Sequence, residues 1–585
     1  LTVTPETVKE LATYEIQFKI RDSTTPSDAI IKFMFPDDFS VPNQSDFACS
    51  AKDVLQGSTI SGISCGSLNN EITVNDFFSN VVSATSLFVF TFENIENPKS
   101  SQISGSIQIS VSTSSGSTLY TSSTSSTSSN LRIQADPVEP TASSIDPQGT
   151  VVGEKSTWEF SFTPKYEIEV NSLIIVEFPY WNEHIGKEFP DELIEETNPS
   201  CSGTAGINTG ISCSYSSSSR TLQVSGAFNS PISSEFKFTV DNIKNPPSPD
   251  PLLGFVIKIA NSGNSGVFEV TQPISVTVTD PSSLRNVFTV SVTNQQIFSS
   301  SEYLIGVTVK NPVYSGCLID IEIPEDLTFD GSLDVQVLRS SNYVSLDYTF
   351  SGQKVHAENV FDEYKDGSIY LKLIGITNAR TTKPTQEFKF TTLTPSGSAI
   401  DQGSGASLTF QPGPIVQHNS EEFVGAAELT VGIETTYTFN FEISHSVDSG
   451  GVIRIVFPTE ITVQDRDEGP CTSVIAGMDN AAKCRVSSKE LIVTDGFPLG
   501  ASAGHISFTL DGVTNPKTSR ASSSFQISTH PDASLDYKVD EKISGITVEA
   551  SPASLKSALI EATSGITGDV TTYTFTIETS TTVPK

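Results

Sequence analysis

The sequence predicts an all-β protein made of tandem immunoglobulin-like antiparallel β-sandwich domains arranged in a rod. Three observations lead to this prediction. The chain is 36% hydrophobic and only 17% charged, so uncharged Ser and Thr supply its polarity, and β-branched residues such as Thr favour strands. Apolar and polar residues alternate in many short segments, whereas helical periodicity is nearly absent. One pattern of strand, Pro and turn recurs through the 585 residues.

A hydrophobic strand that ends in Pro marks each repeat. It reads AIIKFMFP, LIIVEFP, CLIDIEIP and VIRIVFP, ending at Pro36, Pro179, Pro324 and Pro458. The spacings of 143, 145 and 134 residues fit whole sandwich domains and are too long for solenoid repeats. We therefore predict sandwiches at residues 1–135, 136–281, 282–418 and 419–549, and the first two strands of a further, incomplete sandwich at residues 550–585.

Two alternating strands flank each of these prolines. The earlier strand reads TYEIQFKI, TWEFSF, EYLIGVTV, TYTFNFEI and, in a fifth copy, TYTFTI. Its period of two predicts core positions for its first aromatic residues, which are Tyr14, Trp158, Tyr303, Tyr437 and Tyr573. The later strand runs into Asn-Pro, as in FTFENIENP, where the Asn can close an Asx turn and the Pro ends ladder pairing. Ala379 replaces that Pro in the third copy, which predicts a looser turn.

The seven cysteines predict three disulfides and one remaining thiol. Equivalent loops of the first, second and fourth copies contain Cys49 and Cys65, Cys201 and Cys213, and Cys471 and Cys484. Zinc would require more ligands than two thiolates. Disulfides are typical of oxidising compartments, so we expect an extracellular or cell-surface location. The third copy has only Cys317, which we expect to be a buried, inert thiol, with an intermolecular bridge as the alternative.

The charge and the motifs exclude several classes of function. A net charge of -34 repels nucleic acid and anionic lipid headgroups. No apolar run is long enough to cross a bilayer. The six His residues have no metal-binding spacing, and no nucleophile elbow, P-loop or dinucleotide fingerprint occurs. We therefore predict a protein that is not an enzyme and has no cofactor.

Calcium and glycans are the two possible additions to the polypeptide. Calcium could be held between domains by the acidic residues Asp136, Glu139, Asp280 and Glu549, but these are sparse and could equally be solvated charges. Asn43, in the sequon NQS, is a predicted N-glycosylation site. The Ser/Thr tract at residues 112–129 could carry O-linked sugars or form a bare hairpin tip.

The sandwich-sized repeats, the F-T-x-x-N/G-I/V-x-N-P turn, the two Met residues and the abundant Ser and Thr together form a recognisable combination. It resembles very large tandem-repeat surface proteins of ciliates and other protists. Some proteins of this kind are expected to build extracellular hairs or fibrils. The resemblance covers the whole chain and rests on structural motifs, so it transfers no catalytic or binding residues.

The last strand, with Thr572, Tyr573, Phe575 and Ile577, is a predicted assembly site because two strands of a sandwich are not stable alone in water. Its partners would come from a longer multi-repeat chain, which we favour, or from strand exchange with another subunit. We thus predict a segment of an extracellular filament or surface coat that self-assembles by end-to-end and lateral packing. The alternative is an adhesin or receptor ectodomain that binds carbohydrate or protein through loops of one domain, with Tyr180 and Trp181 as contacts. Packing between neighbouring domains or subunits explains the loop with Tyr180 and Trp181 equally well.

Overall fold

The computed structural model describes residues 1–19, 25–79, 87–122, 132–179, 193–286, 288–362, 367–581 and 583. They form two compact units, residues 1–282 with 396–400, and residues 283–395 with 401–585. Antiparallel sheets make up both units, which confirms the predicted all-β sandwich fold. Tyr180, Trp181 and residues 123–131 of the Ser/Thr tract lie outside the described residues.

Sandwich 1 consists of two five-stranded sheets. Its strands are β1 (Thr2–Thr4), β2 (Leu11–Lys19), β3 (Ile30–Met34), β4 (Cys49–Asp53), β5 (Ser58–Ile60), β6 (Ser64–Leu68), β7 (Glu71–Asn75), β8 (Leu87–Glu96), β9 (Gln108–Ser112) and β10 (Thr118–Thr121). The sheet orders are β1-β2-β8-β4-β5 and β10-β9-β3-β7-β6. Alternation buries one face of each sheet, and the rings of Phe33 and Phe92, from opposite sheets, lie 4.8 Å apart in the core.

Sandwich 2 has the same arrangement of two layers. Its strands are β11 (Ala142–Pro147), β12 (Lys155–Thr163), β13 (Leu173–Glu177), β14 (Cys201–Ala205), β15 (Ser212–Ser216), β16 (Thr221–Ser225), β17 (Phe236–Lys244), β18 (Leu252–Ala260), β19 (Val267–Val270) and β20 (Ile274–Val276). One sheet is β11-β12-β17-β14, and the other is β15-β16-β13-β18-β19 with β20 beside β18. Trp158 of β12 packs across the core, 5.6 Å from the ring of Phe255.

Sandwich 3 repeats the arrangement. Its strands are β21 (Ser282–Ser283), β22 (Thr289–Val292), β23 (Ser300–Thr308), β24 (Leu318–Glu322), β25 (Thr328–Arg339), β26 (Asn342–Ser345), β27 (Asp347–Ser351), β28 (Lys354–Glu358), β29 (Ser368–Thr377), β30 (Phe388–Leu393) and β31 (Ala399–Gly405). The sheet orders are β21-β31-β30-β24-β28-β27 and β22-β23-β29-β25-β26. Tyr303 of β23 lies 6.1 Å from Phe388 of the opposite sheet.

Sandwich 4 differs because one strand joins its two layers. Its strands are β32 (Gly413–Val416), β33 (Val424–Ala426), β34 (Glu434–Ile443), β35 (Gly451–Val456), β36 (Thr462–Val463), β37 (Arg466–Pro470), β38 (Ser473–Ala476), β39 (Lys483–Ser487), β40 (Glu490–Phe497), β41 (Gly504–Thr514), β42 (Gln526–His530) and β43 (Asp540–Lys542). The order β36-β41-β34-β32-β43-β42-β35-β40-β39-β37, with β33 on β34 and β38 on β41, makes one twelve-stranded sheet. Strand β32 pairs antiparallel with β34 and parallel with β43, so it connects the layers.

A two-stranded hairpin follows sandwich 4. It consists of β44 (Ser557–Ala562) and β45 (Tyr573–Glu578), which pair antiparallel with each other. Every residue of both strands is exposed. The predicted core position of Tyr573 is therefore wrong for the described residues, because no second sheet packs on this hairpin there. Among the residues described above, no helix is long and apolar enough to cross a membrane.

Candidate assembly site

The Asn of the Asn-Pro motif holds together the interior of every sandwich. Its side-chain oxygen accepts a hydrogen bond from the first aromatic residue of the earlier alternating strand. Tyr14 donates to Asn97, Trp158 Nε1 to Asn245 at 3.0 Å, Tyr303 to Asn378 at 2.6 Å, and Tyr437 to Asn515 at 2.8 Å. Burial raises the pKa of the three Tyr hydroxyls, so they remain donors even at alkaline pH where an exposed Tyr begins to ionise.

The amide nitrogen of the same Asn residues binds the segment through which the chain enters each sandwich. It donates to two alternate backbone carbonyls: Pro5 and Thr7, Gly149 and Val151, Asn294 and Gln296, and Glu428 and Thr430. We call this arrangement of three hydrogen bonds the Asn latch. Asn378 keeps it although Ala379 replaces Pro, so the Asn reaches well beyond the local Asx turn that the sequence indicates.

The chain leaves each sandwich beside the latched segment. Single parallel bridges join entry to exit at Thr7 and Asp136, Val151 and Asp280, Gln296 and Gln411, and Thr430 and Ser551. The next entry residue donates its N–H to the exit carbonyl at 2.8–3.0 Å in each case, as Val8 does to Asp136. The latch therefore fixes where the chain enters and where it leaves.

A buried carboxylate occupies an equivalent strand position in the second, third and fourth sandwiches. Glu269 accepts the N–H groups of Lys165 and Tyr166 at 2.8–3.0 Å. Asp401 accepts those of Lys310 and Asn311 at 2.7 and 2.8 Å, and Asp540 accepts that of His445 at 2.9 Å. Burial raises the pKa of all three carboxyls, opposed by these hydrogen bonds. Each carboxylate fixes the loop that follows the aromatic strand of its own sandwich, which is β12–β13, β23–β24 or β34–β35.

Sandwiches 1 and 2 meet at this carboxylate strand. Val138, in the connection between them, donates to the carbonyl of Phe268 at 3.1 Å and accepts from Val270 at 2.9 Å. Lys9 Nζ lies 5.8 Å from the centre of the Tyr166 ring and 2.9 Å from the carbonyl of Glu167. Burial lowers the pKa of Lys9. The interface also contains the ion pair Lys99–Glu169 at 2.9 Å and a hydrogen bond from Ser101 N to the carbonyl of Val267 at 2.9 Å.

Sandwiches 3 and 4 meet through equivalent residues. Thr382 N of sandwich 3 donates to the carbonyl of Lys538 of sandwich 4 at 2.9 Å, as Ser101 does to Val267. Gly413 N, where the connection enters sandwich 4, donates to the carbonyl of Val539 at 2.8 Å, as Val138 does to Phe268. The Phe298 ring stacks on His445 at 4.8 Å where Lys9 contacts Tyr166. Arg380 pairs with Asp448 at 3.4 Å, as Lys99 does with Glu169. The repeat thus makes one kind of junction with two sets of side chains.

The three predicted disulfides form in the structure. They are Cys49–Cys65, Cys201–Cys213 and Cys471–Cys484, with Cα atoms 6.2, 6.2 and 4.9 Å apart. In sandwiches 1 and 2 each disulfide joins the two layers, since its cysteines lie in β4 and β6 or in β14 and β15. Cys317 is buried in the core outside these disulfides.

The remaining predicted sites are the glycosylation site and the calcium candidates. Asn43 is exposed in a loop, and its side-chain oxygen accepts the N–H of Asn69 at 2.8 Å, so its glycosylation stays a prediction. Asp280, one of the four acidic calcium candidates, accepts the hydroxyl of Thr150 at 2.5 Å. The described part of the chain contains no group of three or more His, Cys, Asp or Glu side chains that could hold a metal.

Sequence reasoning found the aromatic strands, the Asn-Pro turns and the cysteines, but it missed the buried carboxylates and the junction residues. A signal for the carboxylates existed. The segments GVFEV, SAIDQ and YKVDE place one acidic residue at the same position after the polar hairpin. The junction pairs Lys9–Tyr166 and Phe298–His445 differ in chemistry between copies, so no repeated residue type marks them.

Comparison with known proteins finds no matching family model and no matching curated protein. Among solved structures, the C-terminal domain of the Streptococcus agalactiae AgI/II polypeptide BspA is 8% identical, and the match covers 45% of this chain and 99% of that one at a TM-score of 0.18. The major pilin subunit BcpA of Bacillus cereus is 9% identical, with 57% and 82% covered at a TM-score of 0.20. At these identities and TM-scores, nothing about the roles of these proteins is carried over to this chain.

Proposed function

We propose that this chain is a structural, non-enzymatic segment of an extracellular filament or surface appendage, built by end-to-end and lateral packing of its sandwiches. The observation that carries the proposal is the repeated junction. Sandwich 1 joins sandwich 2, and sandwich 3 joins sandwich 4, through backbone hydrogen bonds and side chains at equivalent positions. Stacking in a defined way is therefore a property of the repeat, as a filament requires.

The disulfides support a location outside the cell, and the net charge limits non-specific association between molecules. Each disulfide closes a short loop and stabilises its sandwich by about 3 kcal/mol, which is useful only where thiols stay oxidised. The net charge of -34 keeps exposed sheet edges of neighbouring molecules apart except where specific contacts overcome the repulsion. We also propose a glycan at Asn43, a protist source and the absence of a cofactor, and these three points stay predictions.

The adhesin or receptor alternative depends on the loop with Tyr180 and Trp181. Both residues lie outside the described residues. We therefore propose no ligand at that loop.

Negative-stain electron microscopy at low and high protein concentration, with and without reductant, tests the proposed function. We expect long regular filaments that survive dilution. The variant Val138→Pro removes the N–H that bonds to Phe268 and should make the filaments irregular. The matched variant Val138→Ala keeps that N–H and should leave them regular. Isolated particles under every condition would refute the filament function.

A further inference from the structure

The hairpin β44–β45 has the register of the aromatic strand and the strand before it in each complete sandwich. In it, Ala562 lies opposite Tyr573, and Ile560 lies opposite Phe575. The equivalent pairs in sandwich 4 are Ala426 with Tyr437 and Val424 with Phe439. Val3 with Tyr14, Pro147 with Trp158, and Val292 with Tyr303 occupy the same place in the other sandwiches. The hairpin therefore begins a fifth copy of the same architecture.

The apolar face of this hairpin is uncovered among the described residues. Tyr573, Phe575 and Ile577 are 59%, 64% and 56% exposed, and Ile560 is 61% exposed. By contrast, their sandwich 4 equivalents Tyr437, Phe439 and Phe441 are each 0% exposed. A contiguous exposed apolar face of this kind is typical of an interaction surface.

In the complete sandwiches the opposite sheet covers this face, as Phe255 does for Trp158 and Phe388 for Tyr303, and a further strand pairs along the edge of the aromatic strand. In each, the strand that ends at the Asn-Pro motif pairs along the free edge of the aromatic strand: β8 with β2, β17 with β12, β29 with β23, and β41 with β34. The Asn that follows that strand then closes the latch. Within the described chain, all four strands of this type already have partners on both edges, so none of them is available to the hairpin.

We infer that the hairpin accepts, along β45 and over its apolar face, the remaining strands of a further copy of the same repeat. This inference rests on the proposed filament function and specifies how one segment joins the next. The partner strand alternates apolar residues, as FTLDGVTNP does, and pairs along β45. Backbone pairing gives the affinity, and the apolar face and latch give the specificity.

The latch predicts which hairpin atoms the partner contacts. In all four sandwiches one residue of the preceding strand lies opposite the aromatic residue, and the latch Asn binds the carbonyls two and four residues further along the chain. In sandwich 4, for example, Ala426 lies opposite Tyr437, and Asn515 binds the carbonyls of Glu428 and Thr430. The same spacing after Ala562 gives the carbonyls of Ser564 and Ile566. The partner's Asn donates to these carbonyls and accepts the hydroxyl of Tyr573.

The test supplies the missing strands as a separate polypeptide. Aligning Tyr573 with Tyr437 places Lys585 at Ser449, so residues 450–549, with Cys471 and Cys484 oxidised, form the complement. We mix this fragment with the chain and follow amide hydrogen exchange of β45. We expect exchange there to slow by about a hundredfold or more, and native mass spectrometry to show a complex of one chain with one fragment.

Two variants, and one fusion of the fragment to the end of the chain, complete the test. Phe575→Asp should abolish the protection, because a buried unpaired carboxylate opposes packing. Tyr573→Phe should weaken it by removing one latch bond. If the fragment aggregates, the same residues are appended directly after Lys585 and exchange is measured again. Unprotected β45 amides in both formats would overturn the inference.

A second result would overturn it differently. If the chain alone dimerises, β45 becomes protected, and Phe575→Asp abolishes both effects, then the occupant is a second hairpin. Microscopy separates failure of this inference from failure of the proposed function. Protection of β45 without filaments would support strand complementation and refute the filament function.

Discussion

The Asn latch makes a quantitative prediction for the substitution Asn245→Ala. Asn245 is fully buried. Its oxygen accepts from Trp158 at 3.0 Å and from the Ser156 hydroxyl at 2.7 Å, and its nitrogen donates to the carbonyls of Gly149 and Val151 at 2.8 Å each. The substitution removes all four hydrogen bonds together.

The loss of stability depends on which polar groups remain buried without a hydrogen-bond partner. The indole N–H of Trp158 is in the core and loses its acceptor, which costs about 1–3 kcal/mol. The two carbonyls belong to half-buried residues, so each costs less because water can reach them. With the small cavity left by the amide, we expect sandwich 2 to lose on the order of 4 kcal/mol. That loss is a large part of the stability of a typical domain.

Native-state hydrogen exchange of the full chain measures this loss in one sandwich at a time. A loss of about 4 kcal/mol accelerates exchange of the protected β12 amides by roughly a thousandfold. The β34 amides of sandwich 4 serve as an internal reference, and Asn198→Ala, at an exposed Asn of the same sandwich, is the matched control. Exchange of β12 in Asn245→Ala within about threefold of the parent rate would refute the reasoning.

Three further predictions concern the disulfides and the buried carboxylates. Reductant should accelerate amide exchange in β2, β12 and β34 by an amount equivalent to about 3 kcal/mol. Exchange in β23 should stay unchanged, because sandwich 3 has no disulfide in the described structure. Equal acceleration in β23 would contradict this expectation. The double variant Cys201→Ser with Cys213→Ser should reproduce the effect in β12 alone. Because burial raises the pKa of Glu269 in the folded state, its contribution to stability is greatest at low pH and is lost as pH rises through that pKa. The melting temperature of the parent relative to Glu269→Gln should therefore rise as the pH is lowered from 7 towards the ordinary carboxyl pKa of about 4. A constant difference would show that the titration of Glu269 is not coupled to folding.

The sequence by itself determined the strands and the repeat. Alternation over two residues is a local property, so Tyr14, Trp158, Tyr303 and Tyr437 could be assigned to the core, where the structure places them. The paired cysteines also repeat at fixed positions. Both signals depend only on residue type and short spacing, which a single sequence displays directly.

The tertiary structure alone decided which distant residues meet. The latch joins Tyr14 to Asn97 across 83 positions, and Glu269 reaches the backbone of Lys165 across 104. The junctions use Lys9 with Tyr166 in one case and Phe298 with His445 in the other. Such contacts depend on how the layers twist and stack, and different side chains can satisfy the same geometry, so local pattern does not encode them.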